Sequence, residues 1–359
     1  MRAWLEINLS NFRWNIKSLQ EKIGNKKLIG VVKANAYGMG AVRLTRELKK
    51  CGVDFFVVAT VEEGIELRNE GIDDNILILG GVFNEDLKLV EEYNLQIALN
   101  SLEQLKYINN KMLNIKCHLK IETGMGRVGF NDLDIKLLKE YIEKNKVKNI
   151  VGVYSHLSVS DEECDESYSY TENQVKKFND FKGIDTIKYR HLLNSGGILN
   201  YCGEDNGNYV RAGIIQYGIC GEKYIDGFKP VVKFKSRILF IKTLAEDSDI
   251  SYGRTAHLKK GDMVATISAG YADGFRRSIS NKGFITINNV KCFVTGRVCM
   301  DMFMVKIPEI LKNKIQVGNE VTLYDENIID VAKLSDTITY EIFTGIGKRV
   351  KRIYIEEKL

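Results

Sequence analysis

The sequence predicts an α/β fold: a (β/α)8 TIM barrel followed by a second, mostly β domain. Three observations carry that expectation. From Leu28 onward, short apolar runs rich in Val and Ile alternate with amphipathic helical stretches, the pattern of parallel βα units. Near Phe228–Val232 this rhythm stops, and the chain continues as strands joined by turns. The 359 residues, 44% of them apolar, are enough for a barrel with an added module.

Eight barrel strands can be read in order. They are LIGVVKA (Leu28–Ala34), DFFVVAT (Asp54–Thr60), NILILG (Asn75–Gly80), LQIAL (Leu95–Leu99), IKCHLKIE (Ile115–Glu122), NIVGVYSHL (Asn149–Leu157), YRHLLNS (Tyr189–Ser195) and YVRAGIIQYG (Tyr209–Gly218). Helices fall between them: VEEGIELRNEG after the second strand, SLEQLKYINNKM after the fourth and NDLDIKLLKEYIEKN after the fifth. A parallel strand is covered by helices on its outer face and filled inside, so it reads as a nearly continuous apolar run. The strands expected beyond the barrel lie in VVKFKSRILFIKTL, DMVATISAGYADG, GFITINNVKCFVTGRV, MDMFMVKI and EVTLYD, with one short helix in IIDVAKLS. The expected domains are therefore 1–229 and 230–359, with Pro230 at the boundary; the first strand of the chain is open to either domain.

Bulk properties narrow the function classes. A net charge of +5 from 52 basic and 47 acidic residues, without a basic block, argues against a nucleic-acid surface and fits a small anionic ligand. Seven scattered cysteines with no CxxC pair argue against a zinc site or a disulfide framework, so no metal is expected and a reducing cytoplasm is. The N-terminal MRAWLEINLSNFRWN is charged too early for a signal peptide, and no apolar run approaches the roughly 20 residues of a membrane span.

Chemistry is expected where the strands end, because barrel active sites lie at the C-terminal face. The first strand delivers Lys33 into a polar loop with Tyr37, Gly38 and Gly40. A lysine there either reaches solvent or is desolvated into a nucleophilic amine. The later strands lead to Arg127, His156, Asn194 with Ser195, and Arg211 with Gly213 and Ile214. Together these offer an imine-forming amine, hydroxyls and amides for a phosphate, and guanidinium groups for a carboxylate or a ring nitrogen, which are the parts pyridoxal 5'-phosphate (PLP) needs.

The chain resembles the alanine racemases, PLP enzymes, through VVKANAYG, HLKIETGMGRVGF, VYSHL, LLNSGGILNY, VRAGI, SYG, GYADGFRR and GRVCMD, in that order. The resemblance implies a function: racemisation of L-alanine to D-alanine for peptidoglycan. It also implies roles. Lys33 would carry PLP; Tyr37, Asn194, Ser195, Gly213, Ile214 and Tyr340 would serve the cofactor, with the phosphate as the main target. Arg211 would meet the pyridine nitrogen, and Arg127 the phenolic oxygen side of the ring and the substrate carboxylate. Tyr252 would be the second base, tuned through His156 and supplied by the other subunit of a homodimer, as would the substrate-binding Met300 and Tyr271. Asp301 would have a supporting role. Lys120 matches a position that is carbamylated in the family, against which stands a simple pairing with Glu122 or another carboxylate.

One departure bears on substrate. FTGIGKRVKR places Lys348 where many family members have a tyrosine, and a proline is missing, which leaves serine as an alternative to alanine. The rival classes are a noncatalytic PLP carrier, which resembles a barrel alone, a barrel-plus-β PLP decarboxylase, and a hydrolase with paired carboxylates at strand ends, where this chain carries bases.

Overall fold

The computed structural model describes residues 1–356; the last three residues of the expected second domain, 357–359, lie outside the described residues. The chain divides into two compact units, Arg13–Gly221 and a unit built from Met1–Phe12 with Glu222–Leu359. The compact units meet at 221/222, a few residues before the expected boundary, and the chain's first segment, left open by the sequence, goes with the second unit. The cause is strand pairing. Strand β1 (Ala3–Asn8) runs antiparallel to Val232–Thr243 and parallel to Lys351–Ile355.

The first unit is a closed parallel barrel of eight strands: β2 (Lys27–Val31), β3 (Phe55–Val58), β4 (Asn75–Ile78), β5 (Gln96–Leu99), β6 (Cys117–Lys120), β7 (Ile150–Tyr154), β8 (Tyr189–His191) and β9 (Tyr209–Ala212). All eight expected strands are present, each shorter than its apolar run. They stop early because the backbone leaves the ladder to build the mouth. Beyond β7 and β8, for instance, the carbonyls of Ser155 and Leu192 accept hydrogen bonds from the Arg211 side chain at 2.7 and 2.9 Å. Lys33 and His156 consequently lie just past their strands, while Arg211 lies within one.

The barrel interior is unusually polar. Among its buried residues are His118, Lys120, His191 and Arg211, together with aromatic rings. Tyr154 stacks on His191 at 5.1 Å and 7°, and Phe55 meets Tyr189 edge-on at 5.3 Å. Gly152 on β7 leaves the space the His118 ring occupies; a Cβ there would overlap its Nδ1.

In the second unit the strand Val232–Thr243 is the hub, pairing antiparallel with β1, Met263–Ile267 and Glu320–Tyr324. The hairpin Phe284–Ile287/Val290–Phe293 turns through Asn288 and Asn289, with φ of 48° and 62°, as a tight two-residue turn matched to strand twist requires. A second hairpin, Ser248–Ile250/Ala256–Leu258, is anchored by a small apolar cluster of Leu244, Ile250, Leu258 and Val264. No described helix is long and apolar enough to cross a membrane.

Candidate active site

The barrel mouth begins with a local conformation that L-residues avoid. Ala34, Asn35, Ala36 and Tyr37 have φ of 51°, 55°, 51° and 57°, forming a left-handed turn directly after Lys33. Such residues cost about 1–2 kcal/mol each, so the surroundings must hold them. Glu63 is the main clamp: its carboxylate accepts from the amides of Ala34 at 2.6 Å and Ala59 at 2.7 Å. Asn35 Oδ1 accepts from the Ala41 amide at 2.8 Å, and the buried Tyr217 hydroxyl donates to the Ala36 carbonyl at 2.7 Å. Glu63→Gln turns one of those acceptors into a donor. It is expected to lower unfolding free energy by about 1–3 kcal/mol, measured by denaturant titration.

Lys33 is exposed toward the mouth, yet partial desolvation lowers its amine pKa; Arg127 and Arg211 act in the same direction and Glu63 opposes them. Proton release from this lysine is thereby eased. Tyr37 is buried, and burial raises its pKa, so it stays a neutral phenol. Its hydroxyl and that of Ser195 flank Gly213: a Cβ on Gly213 would lie 2.6 Å from the Tyr37 oxygen and 3.4 Å from Ser195 Oγ. Ser195 Oγ also accepts from the Ile215 amide at 3.4 Å. Asn194 caps the helix Ser195–Asn200, accepting from the Gly197 amide at 3.0 Å and donating to the Leu157 carbonyl at 3.1 Å. These bonds fix the start of that helix, at Ser195.

Arg211 is 3% exposed, and burial lowers its pKa to about 10, so the guanidinium remains charged at neutral pH. NH1 donates to Nδ1 and the carbonyl of His191 at 3.0 and 2.7 Å. NH2 donates to the carbonyls of Ser155 and Leu192 and to His156 Nδ1, the last at 3.2 Å. Among the described residues its Nε has no partner. Burial and the nearby Arg211, Arg127 and lysine charges hold His156 well below its usual pKa, so it is a neutral acceptor.

Lys120 is 1% exposed, and its amine donates to the Ile121 carbonyl at 2.8 Å and Ser155 Oγ at 3.1 Å. Burial lowers its pKa to about 8, against the pull of Glu122. The alternative expectation, a Lys120–Glu122 pair, is not what the chain forms. Glu122 Oε1 instead accepts from the amides of Gly124 and Gly126, at 2.5 and 3.1 Å. Arg127 is exposed on the same loop.

The second unit carries a separate group. Tyr252 is 71% exposed in the turn Tyr252–Arg254 at the tip of the Ser248–Leu258 hairpin. Its ring therefore lies at the surface of this unit. Ser251, with φ of 67°, fixes the turn by donating to the Arg297 carbonyl at 2.6 Å. Tyr271 and Met300, both exposed, come together because the Tyr271 amide donates to the Cys299 carbonyl and the Ala272 amide to the Met300 carbonyl, each at 3.0 Å. Asp301 meets Arg349 at 2.7 Å, and Arg349 also bridges both oxygens of Asp273. Tyr340 is half-buried on the helix Thr339–Thr344, and Lys348 is exposed.

Several participants escaped sequence reading: Glu63, Tyr154, Ser155, His191 and Arg349. The histidines had a signal. In CHLK a polar residue recurs at every second position of a strand that should be apolar on both faces, and YRH has no aliphatic residue at all.

The mouth fits a phosphorylated pyridine. A close-approach glycine with two hydroxyls beside it forms a cradle that a side chain would fill, and the buried Arg211 keeps one N–H for a ring acceptor. No group of three or more His, Cys, Asp or Glu among the described residues is placed to hold a metal.

Comparisons with known proteins agree with this chemistry. Residues 7–220 match the model for the alanine racemase N-terminal domain, and residues 231–354 that for the alanine racemase C-terminal domain. An alanine racemase of Fusobacterium nucleatum is 41% identical over 355 residues, covering 99% of this chain and 100% of that one. Among solved structures, alanine racemase of Clostridium difficile 630 superposes with a TM-score of 0.88 at 35% identity, over 99% of this chain and 96% of that one. A Bartonella henselae alanine racemase with covalently bound pyridoxal phosphate gives 0.89 at 27% identity, over 99% and 100%.

Proposed function

Because this chain belongs to the alanine racemase family, we propose that it interconverts L- and D-alanine with PLP carried on Lys33. The observation that carries the reading is the barrel mouth, where the amine of Lys33 has its pKa lowered by partial desolvation and in part by the charge of Arg211, and where Tyr37 and Ser195 flank the close-approach Gly213. Bound PLP would withdraw electrons from the substrate Cα and acidify its proton.

The chain's own residues account for the rest. Tyr37, Ser195 and the backbone of Gly213 and Ile214 would hold the phosphate, with Asn194 bracing the cradle. The family resemblance also assigns Tyr340 to the cofactor. Gly213→Ala is expected to weaken PLP affinity roughly tenfold or more, about 1.4 kcal/mol, in a visible-absorbance titration. Arg211 would donate to the ring nitrogen without giving up its proton, because a guanidinium does not deprotonate near neutral pH. A ring nitrogen left unprotonated in this way would withdraw electrons less strongly, which would favour return of a proton at Cα over side reactions. Arg127 would take the substrate carboxylate.

Lys33 and Tyr252 would move protons at opposite faces of Cα, His156 would tune the tyrosine, and Met300 and Tyr271 would bound the substrate. Tyr252, Met300 and Tyr271 stand in the unit that the family resemblance assigns to the partner's site, so a homodimer is part of the proposal. Asp301, paired with Arg349, would brace the Met300 segment. A buried amine of lowered pKa without a carboxylate partner supports carbamylation of Lys120. Seven free cysteines fit a reducing cytoplasm. The product would feed D-alanine into peptidoglycan.

The relatives favour alanine over serine, and the second unit disfavours a barrel-only PLP carrier. The test is a rate comparison on L-alanine, L-serine and larger amino acids. Alanine is expected to be fastest, and a purified protein inert toward alanine would overturn the reading.

A further inference from the structure

A chain of buried side chains behind Arg211 has no part in the scheme above. His191 Nε2 lies 2.9 Å from His118 Nδ1, His118 Nε2 lies 2.8 Å from Gln96 Oε1, and Gln96 Nε2 donates to Asn75 Oδ1 at 2.8 Å. Asn75 and Gln96 open β4 and β5, whereas His191 closes β8. The series therefore runs from the N-terminal end of the barrel toward its mouth.

Its direction is forced by chemistry. Arginine has donors only, so His191 Nδ1 must accept from Arg211. The His191 proton then sits on Nε2 and is donated to His118 Nδ1. The same reasoning places the His118 proton on Nε2, where it is donated to Gln96 Oε1. That choice leaves the Gln96 amide nitrogen to donate to Asn75, which it does. Reversing any link would set two donors or two acceptors face to face in a buried site. Around His118 the neighbours are Gln96, His191, the stacked Tyr189 ring at 5.4 Å, the Phe55 edge at 5.8 Å and Gly152. Around His191 they are His118, Arg211 and the stacked Tyr154. None of these bears a negative charge, and burial lowers the His118 pKa to about 3.

We propose that His118, backed by Gln96 and Asn75, is a positioning residue for Arg211. By fixing the His191 tautomer it holds the guanidinium in the one orientation that leaves Nε for the cofactor ring. His118 itself touches neither cofactor nor substrate. The inference rests on the preceding assignment of Arg211 to that ring.

The sequence has only four histidines, His118, His156, His191 and His257, so ring-15N NMR of the histidine-labelled holoenzyme resolves them individually. His118 and His191 are expected to be neutral Nε2–H tautomers that do not titrate between about pH 6 and 9. An Nδ1–H form, or titration at either residue in that range, overturns the proposal. Gln96→Leu removes the acceptor at the far end and keeps both histidines. It is expected to shift the His191 ring nitrogens and weaken PLP affinity roughly tenfold. His118→Leu should do the same, and His118→Gln, whose side-chain oxygen can accept from His191, should recover most of the loss. Wild-type His191 signals and wild-type PLP affinity in Gln96→Leu would equally overturn it. A chain that bound no PLP would instead sink the assignment of Arg211, while the tautomer pattern stayed readable in the protein alone.

Discussion

Lys33→Ala is expected to remove the visible absorbance of bound pyridoxal and to lower racemisation by about 10³- to 10⁴-fold or more. Both losses follow from one atom, because the same amine would hold the cofactor and move a proton at Cα. The geometry sharpens this expectation. Lys33 precedes four residues in left-handed conformation, clamped by Glu63, Asn35 and Tyr217, so the strain is tied to the placement of one side chain. The substitution leaves that turn and its clamps intact. Its thermal stability should therefore stay near wild type while absorbance and activity vanish. Retention of either would mean that another amine carries the cofactor.

Tyr252→Phe is the second large effect, about 10²- to 10⁴-fold on racemisation. The two enantiomers of alanine have equal free energies in water, so the overall rate constants kcat/KM in the two directions must fall together. The informative quantity is exchange of the Cα proton with solvent. Without the Tyr252 hydroxyl, exchange should persist for the enantiomer whose Cα proton faces Lys33 and fall steeply for the other. Equal losses of exchange for both would contradict a two-face assignment. The aromatic ring is retained and 71% exposed on its hairpin, so folding of the unit should be unaffected.

The barrel was legible in the sequence because strands buried on both faces are written as Val- and Ile-rich runs at a steady spacing. Their ends were not. The apolar run continues past Val31, Tyr154 and Ala212 into segments that are buried without being paired as strands, and burial rather than pairing is what hydrophobicity reports. Lys33, Tyr37, His156, Ser195 and Arg211 were readable because they sit in short blocks beside those ends. Glu63 was hidden for a different reason. In sequence it is an ordinary acidic residue in a helix's first turn, and only the fold brings the Ala34 amide to it across 29 positions. Tyr252 was named from the SYG block, but its local conformation was not legible: positive φ at Ser251, Gly253 and Arg254 makes the segment an exposed turn. The first strand's place in the β unit depends on partners more than 220 residues away, beyond any local signal.

The departure at Lys348 acquires a physical context beside Arg349, which holds Asp273 and Asp301 in the segment bearing Tyr271 and Met300. Arg349 thus braces the very segment the resemblance assigns to the substrate. The exposed Lys348 next to it carries a flexible cation.

Two proton-transfer groups on opposite faces of Cα make a prediction that one group cannot. In heavy water, L-alanine should give D-alanine carrying deuterium at Cα from the first turnovers, because the group that delivers the new proton is not the one that removed the old one. The same should hold from D-alanine to L-alanine. Proton NMR of the Cα position, followed alongside optical rotation, reads this directly. Deuterated product in both directions is the predicted result; product that retains its original proton, or optical rotation that does not change, would contradict it.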